Sequence, residues 1–364
     1  MSWLIVFLGF CLLIVLHEAG HFFAAKATGM RVERFSLFFG PMLASVKRGE
    51  TEYGVAAIPL GGYVKISGMN PEEELPPEVE DRAYYRQPVW KRIVVTGAGP
   101  AVNVALAFAI FFFVYLGYAR QPTQRVGEVI PRTPAATVLE PGDRILAVGG
   151  HTYPNLDREA RLKRFIKDIG AHGCAGGARS NGCRAVRPVV LRIERGGTVR
   201  TIAVRPEYKA DAKRMLIGFS YGSEPTSIGA GTAASRAWDS VWLFTHRTAS
   251  VFSRLFESSQ RKEISSVVGI SDVAHQTVER SAERSLLLLA LVSLSLGLIN
   301  LLPILPLDGG HIFWSIVEKL RGKPASLQTM ERASIVGFAL VAMLFFIGLS
   351  NDIGRLTGEG FNAR

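Results

Sequence analysis

Uncharged apolar runs divide the chain. Residues 3–16, 101–119, 286–307 and 335–349 contain no Asp, Glu, Lys or Arg. A bilayer crossing takes roughly 20 apolar residues. The second and third runs meet that length directly. The first meets it by continuing through His17-Glu18-Ala19-Gly20-His21 into Phe22 and Phe23, and the fourth gains Ser350 and Asn351. The pattern predicts four transmembrane helices with both termini on one side. A cleaved signal peptide is the competing reading of the first run, with Ala25-Lys26-Ala27 as its cleavage site. No Lys or Arg precedes the run, which argues against it.

Between the runs the periodicity changes. Residues 36–46 and 51–60 alternate and are joined by Lys47-Arg48-Gly49-Glu50, which predicts a β-hairpin followed by Gly61-Gly62-Tyr63-Val64-Lys65. Pro71 to Asp81 is an acidic, Pro-containing surface loop. Residues 126–130 and 144–148 read as strands, 156–168 as a helix, and 188–195 with 198–205 as a hairpin around Gly196-Gly197. The fold class expected is a polytopic α-helical membrane protein with four transmembrane helices, a membrane-associated β-hairpin and an inserted α+β domain. The expected boundaries are 1–27 for the first span, 28–92 for the hairpin loop on the cytoplasmic side and 93–119 for the second span. The insert takes 120–208, and a linker with an amphipathic helix takes 209–284. The third span follows at 285–316, a loop at 317–334, the fourth span at 335–351 and a tail at 352–364. In the linker, 234–257 puts Trp238, Val241, Trp242, Thr245, Ala249, Phe252 and Phe256 on one helical face. That suits a helix lying on the membrane or one packed on the inserted domain.

Charge refines the picture. The net charge of +11 comes mostly from 119–284, which holds 26 Lys and Arg against 16 Asp and Glu. No aromatic-basic motif points to nucleic acid, so none is expected as a partner. A basic domain beside an anionic bilayer is the simpler account. Cys11 lies in the first run. Cys174 and Cys183, in a Gly-rich stretch, fit a disulfide in an oxidising compartment or half of a metal site; no second Cys/His pair lies near enough to complete the latter.

The candidate chemistry lies in HEAGH. On a helix, i and i+4 share a face, so His17 and His21 can hold one zinc ion, with Glu18 close enough to act on a water bound there. Ionisable groups inside an apolar span are costly and usually functional. A hydrolytic zinc site wants a third protein ligand. Asp308, in Asn300-Leu301-Leu302-Pro303-Ile304-Leu305-Pro306-Leu307-Asp308-Gly309-Gly310-His311, is the candidate. His17 follows 14 apolar residues, about 21 Å of helix; Asp308 follows 22, a reach that Pro303 and Pro306 shorten. Spans one and three run the same way, so both sites fall toward the same membrane face. The competing reading of Asp308 is a helix cap at the membrane surface, and His311 is the rival ligand.

HEAGH in a first span and NLLPILPLDGG in a later one resemble the site-2 protease family of intramembrane zinc metalloproteases. Gly97-Ala98-Gly99-Pro100 with Asn103, and Gly61-Gly62-Tyr63-Val64-Lys65, match its other blocks. Thr133-Pro134-Ala135-Ala136, Pro141-Gly142-Asp143 and Arg144-Ile145-Leu146-Ala147-Val148 resemble a PDZ domain over roughly 122–208, from which the Cys-containing expansion at 169–187 departs. One such domain between spans two and three is similar to the bacterial regulator-of-sigma-E protease type. The resemblance implies His17, His21 and Asp308 as Zn2+ ligands and Glu18 as general base. It implies Asn300, Gly61, Gly62, Tyr63 and Val64 at the substrate. It further implies a bacterial cell membrane, with the zinc site toward the cytoplasm and the PDZ-like domain outside. The substrates would be single-span proteins, such as an anti-sigma factor already cut once. A catalytically silent PDZ scaffold predicts damaged zinc residues. A metal transporter predicts a polar path, whereas the second apolar run, 101–119, offers only Asn103, Tyr115 and Tyr118 as polar side chains.

Overall fold

The structure, a computed structural model, describes residues 2–70, 73–174, 180–210, 212–253 and 267–357. It divides into two compact units, Met1–Leu116 with Gly229–Arg364, and Gly117–Ile228.

Among the described residues, four helices of the first unit are long and apolar enough to cross a membrane: Ser2–Ala27, Val89–Gly117, Ala282–Asn300 and Leu327–Gly354. In hydrocarbon a backbone satisfies itself only by closing its hydrogen bonds internally, so apolar segments of this length become helices. α1 is Ser2–Ala27 and α2 is Val89–Gly117. β1 (Val32–Arg48) and β2 (Thr51–Ile66) lie between them. They are more than the single hairpin expected. Residues 42–48 align with 51–56 across the Gly49 turn, but 34–37 align with 52–55 on one side and with 62–65 on the other. The chain reverses within each long strand, at Phe38 and Gly40 (φ 74° and 90°) and at Gly61 (φ 133°). Alternation alone does not reveal such a fold-back, because the period of two survives on both sides of it. Residues 62–66 thereby form an outer edge, with no further strand beside it among the described residues. Lys26, at the end of α1, and Arg82 hold the turn residue Glu50, Lys26 Nζ at 2.5 Å and Arg82 Nη1 at 2.8 Å. The Arg82 and Lys26 hydrogen bonds draw the Glu50 carboxyl down to about 2.

The third span is not one helix over 285–316. It stops at Asn300; 301–307 is irregular around Pro303 and a cis Leu305–Pro306 bond; and a new helix, α7, runs over Asp308–Arg321. Proline supplies no N–H and clashes with the preceding turn, which ends the helix. The loop expected over 317–334 shrinks likewise. α7 continues to Arg321, Gly322 (φ 69°) ends it, and α8 spans Leu327–Thr357. Gln328, Glu331 and Arg332 are good helix formers, so the helix begins ahead of its apolar stretch.

In the 209–284 region, α4 (Ala230–Ser253) and α5 (Val267–Arg280) precede α6 (Ala282–Asn300). Phe256 lies outside the described residues. The apolar face expected of α4 divides. Ala233, Ala237 and Val241 are buried, the last two clustered with Phe111, Ala290 and Leu294 of α2 and α6, whereas Trp238 and Trp242 are exposed. Small residues allow that close helix contact, which a hydropathy pattern does not distinguish from a merely apolar face.

The second unit is a five-stranded sheet of order β6-β5-β4-β3-β9. The strands are β3 (Arg120–Val129), β4 (Arg144–Val148), β5 (Val189–Arg195), β6 (Thr198–Val204) and β9 (Phe219–Pro225). Helix α3 (Arg158–Gly170) is capped by Asp157 and contributes Leu162, Phe165 and Ile169 to the core beside Ile145, Leu191 and Ile193. Buried Asp143 accepts from Arg195 at 2.7 Å and from the Glu140 N–H at 2.9 Å. Burial alone would raise its carboxyl; those hydrogen bonds outweigh it and leave the group below its usual range. Residues 209–228, read as the start of a linker, instead supply β9, a short β7–β8 pair (Glu207–Lys209 with Arg214–Leu216) and an edge for β3. Gly218, Gly222 and three serines dilute the strand signal there. Cys174 and Cys183 are joined in a disulfide, with Cα atoms 5.8 Å apart, and cluster with Ala185 and Met215.

Candidate metal centre and active site

The helical period places His17 and His21 one turn apart on α1, and both rings are buried. Their Nε2 atoms lie 3.3 Å apart. Asp308 opens α7, and its Oδ2 is 3.3 Å from His17 Nε2 and 3.4 Å from His21 Nε2. Three donors from two distant segments therefore form a nearly equilateral triangle. Tetrahedral zinc with nitrogen and oxygen ligands at about 2.0–2.1 Å requires ligand–ligand edges of about 3.3–3.4 Å. The triangle and its donor types fit that ion. Asp308 Oδ2 is buried without a hydrogen-bond partner, as an atom reserved for a cation would be. Among the described residues, this is the one group of His, Cys, Asp or Glu side chains that can hold a metal ion.

Helix α2 holds the two imidazoles from behind. His21 Nδ1 lies 2.8 Å from the Val95 carbonyl oxygen, and His17 Nδ1 lies 3.2 Å from Asn103 Nδ2. The helices can approach this closely because Gly99 faces His21: an added Cβ would fall 2.7 Å from Cε1 and 2.8 Å from Cδ2 of that ring. On the other side the edge strand reaches the site at Gly62. A Cβ there would lie 2.9 Å from Ile14 Cγ2 and 3.0 Å from Glu18 Cδ.

These groups open on a cleft of about 600 Å³. Glu18, Asn300 and residues 61–64 all line it, so the structure brings every expected site residue to one cavity. His311, the rival ligand, lines the same cleft and an adjoining one, outside the three-donor triangle. Asn103 is legible only as part of a block and as one of three polar side chains in an apolar run; its contact with His17 is not. The Val95 carbonyl has no side-chain signature at all.

Residues 5–344 match the model of peptidase family M50. The chain belongs to peptidase family M50, the site-2 proteases. Among its relatives, zinc metalloprotease Rip1 of Mycobacterium bovis is 31% identical over 392 aligned positions, covering 94% of this chain and 92% of that one. Rip1 of Mycobacterium tuberculosis is 30% identical with the same coverage. A protein of Brucella suis, named as a candidate zinc metalloprotease, is 31% identical over 93% of this chain and 92% of its own. This M50 member is a zinc metalloprotease and a multi-pass membrane protein.

Proposed function

We propose that this protease is an endopeptidase that cuts transmembrane segments of single-span proteins. In this reading His17, His21 and Asp308 hold the zinc ion and Glu18 is the general base. The observation that carries it is the three-donor triangle beside Glu18, set within apolar spans and open to a cleft bordered by a strand edge that has no further strand beside it among the described residues.

Bound zinc supplies Lewis-acid chemistry, polarising a carbonyl oxygen and acidifying water. Glu18 takes the proton of the attacking water and returns it to the leaving amine. A substrate helix must unwind before its peptide bonds are accessible, and the freed backbone groups then need partners. The 62–66 edge offers them by strand addition, with Asn300 as a polar contact across the cleft. Gly62 keeps that strand close enough to Glu18 for the added segment to reach the base.

The fold of residues 120–225 suits a PDZ-like module, and a 170 Å³ groove lined by Ile166, Ile169, Ile217 and Phe219 lies between α3 and β8–β9. Such a groove suits the new C-terminus of a substrate cut earlier, as of a membrane-anchored anti-sigma factor. Lys26, Arg31, Arg34, Arg86, Lys91, Arg92, Lys319, Arg321 and Lys323 flank the spans on one side, which favours placing the zinc site toward the cytoplasm and the module outside. No observation favours a silent scaffold, since the base and all three donors are present.

The test compares wild type with Glu18→Gln in proteoliposomes for zinc content and for cleavage of a model single-span substrate. The variant should keep its zinc and lose cleavage. Equal cleavage by both would overturn the protease assignment of Glu18.

A further inference from the structure

The backing of the two imidazoles points one step beyond the four residues above, and rests on the reading that His17 and His21 hold zinc through Nε2. A neutral imidazole that binds metal through Nε2 carries its proton on Nδ1 and needs an acceptor there. His21 has one in the Val95 carbonyl oxygen, 2.8 Å from its Nδ1. A carbonyl can only accept, so that contact holds the ring in the metal-ready tautomer.

For His17 the facing group is the carboxamide of Asn103, which is fully buried. Its Nδ2 lies 3.2 Å from His17 Nδ1, while its Oδ1 is buried with no hydrogen-bond partner. With zinc on Nε2, that orientation would set two donors against each other and leave the carboxamide oxygen idle. A half-turn of the amide exchanges atoms of nearly equal size. It ends the donor–donor conflict and gives the oxygen a partner. The residue itself is held firmly. Ser293 of α6 donates to the Asn103 backbone oxygen at 2.9 Å, and Gly297 packs so near that an added Cβ would lie 3.2 Å from Asn103 Cβ. A polar side chain in the second apolar run has no partner in lipid and needs one in the protein.

We propose that Asn103 is the positioning residue of His17: its carboxamide oxygen accepts the Nδ1–H and leaves Nε2 free for zinc. The third span, through Ser293, thereby helps set the geometry of a ligand carried by the first.

The test uses the full chain in detergent, as wild type, Asn103→Asp and Asn103→Leu. Aspartate keeps an acceptor in place; leucine keeps the size and removes it. The readouts are zinc affinity against a chromophoric chelator, the visible spectrum of the cobalt-loaded protein and thermal unfolding of the metal-free protein. Asn103→Asp should bind zinc as tightly as wild type or more so, with the same cobalt spectrum. Asn103→Leu should lose about 10–100-fold in affinity, while its metal-free form unfolds no earlier than wild type. Asn103→Ala gives the same comparison should the leucine variant not fold. Wild-type affinity in the leucine or alanine variant would overturn the proposal. So would an equal loss in Asn103→Asp, the result expected if the carboxamide acts as a donor. A wild-type chain that binds no zinc would instead overturn the metal site itself, and that shows without any variant.

Discussion

Gly99→Ala is the smallest change expected to disable the metal centre, and its size can be worked from the structure. An added Cβ would lie 2.7 Å from His21 Cε1 and 2.8 Å from Cδ2, where ordinary contact begins at 3.4 Å. The ring must therefore retreat by at least about 0.6 Å, the gap between ordinary contact and the longer of those distances. Metal–ligand distances tolerate only about 0.2 Å. The ring cannot simply slide, because Nδ1 is tied to the Val95 oxygen at 2.8 Å. Zinc affinity should fall at least about tenfold, or ~1.4 kcal/mol. Gly97→Ala makes the same chemical change two residues earlier, where the new Cβ meets only Ile312 Cδ1 at 3.8 Å. It should keep its zinc and gain up to about 1 kcal/mol from helix propensity. Chelator competition on both purified variants, with thermal unfolding of the metal-free forms, decides the matter. If Gly99→Ala binds zinc as tightly as Gly97→Ala, the close approach of α2 to His21 is not what shapes the site.

Three further outcomes follow from the same contacts. Arg92 is buried and pairs through both terminal nitrogens with Glu318, joining α2 to the helix that begins with Asp308. Arg92→Met should cost about 3–5 kcal/mol of stability in detergent, and adding Glu318→Leu should restore most of it; additive losses would show that the pair is not coupled. Asp143→Ala leaves the Glu140 N–H without its acceptor, while Arg195 keeps Glu140 Oε1 and the Val138 carbonyl oxygen, and should lower the stability of residues 120–225 by about 1–3 kcal/mol, read as faster amide exchange confined to that unit. The Glu50 carboxyl is held near 2 by Arg82 and Lys26, below its ordinary 4.5. Its folded value is the lower one, so its stabilisation is complete above pH 4.5 and is lost as pH falls toward 2. Amide protection in β1 and β2 should therefore decline through that window more steeply in wild type than in Glu50→Gln; parallel declines would remove Glu50 from the account.

Some of this protein is written locally. Four uncharged runs became the four membrane-length helices, because length and hydropathy are properties of contiguous residues and lipid leaves the backbone few alternatives. The i, i+4 spacing of His17 and His21 fixed their common face for the same reason. Asp308 could be matched to them by counting depth along two helices of like direction. Other features depend on segments that meet only after folding. The fold-back that makes 62–66 an outer edge and the pairing of Arg120 with Pro225 both lie beyond any local period. So do the Val95 carbonyl and the Asn103 carboxamide behind the imidazoles. HEAGH supplied two candidate ligands and a candidate base. The groups that face their imidazoles were brought there by α2, because a contact across 74 or 86 residues exists only once packing has brought its ends together.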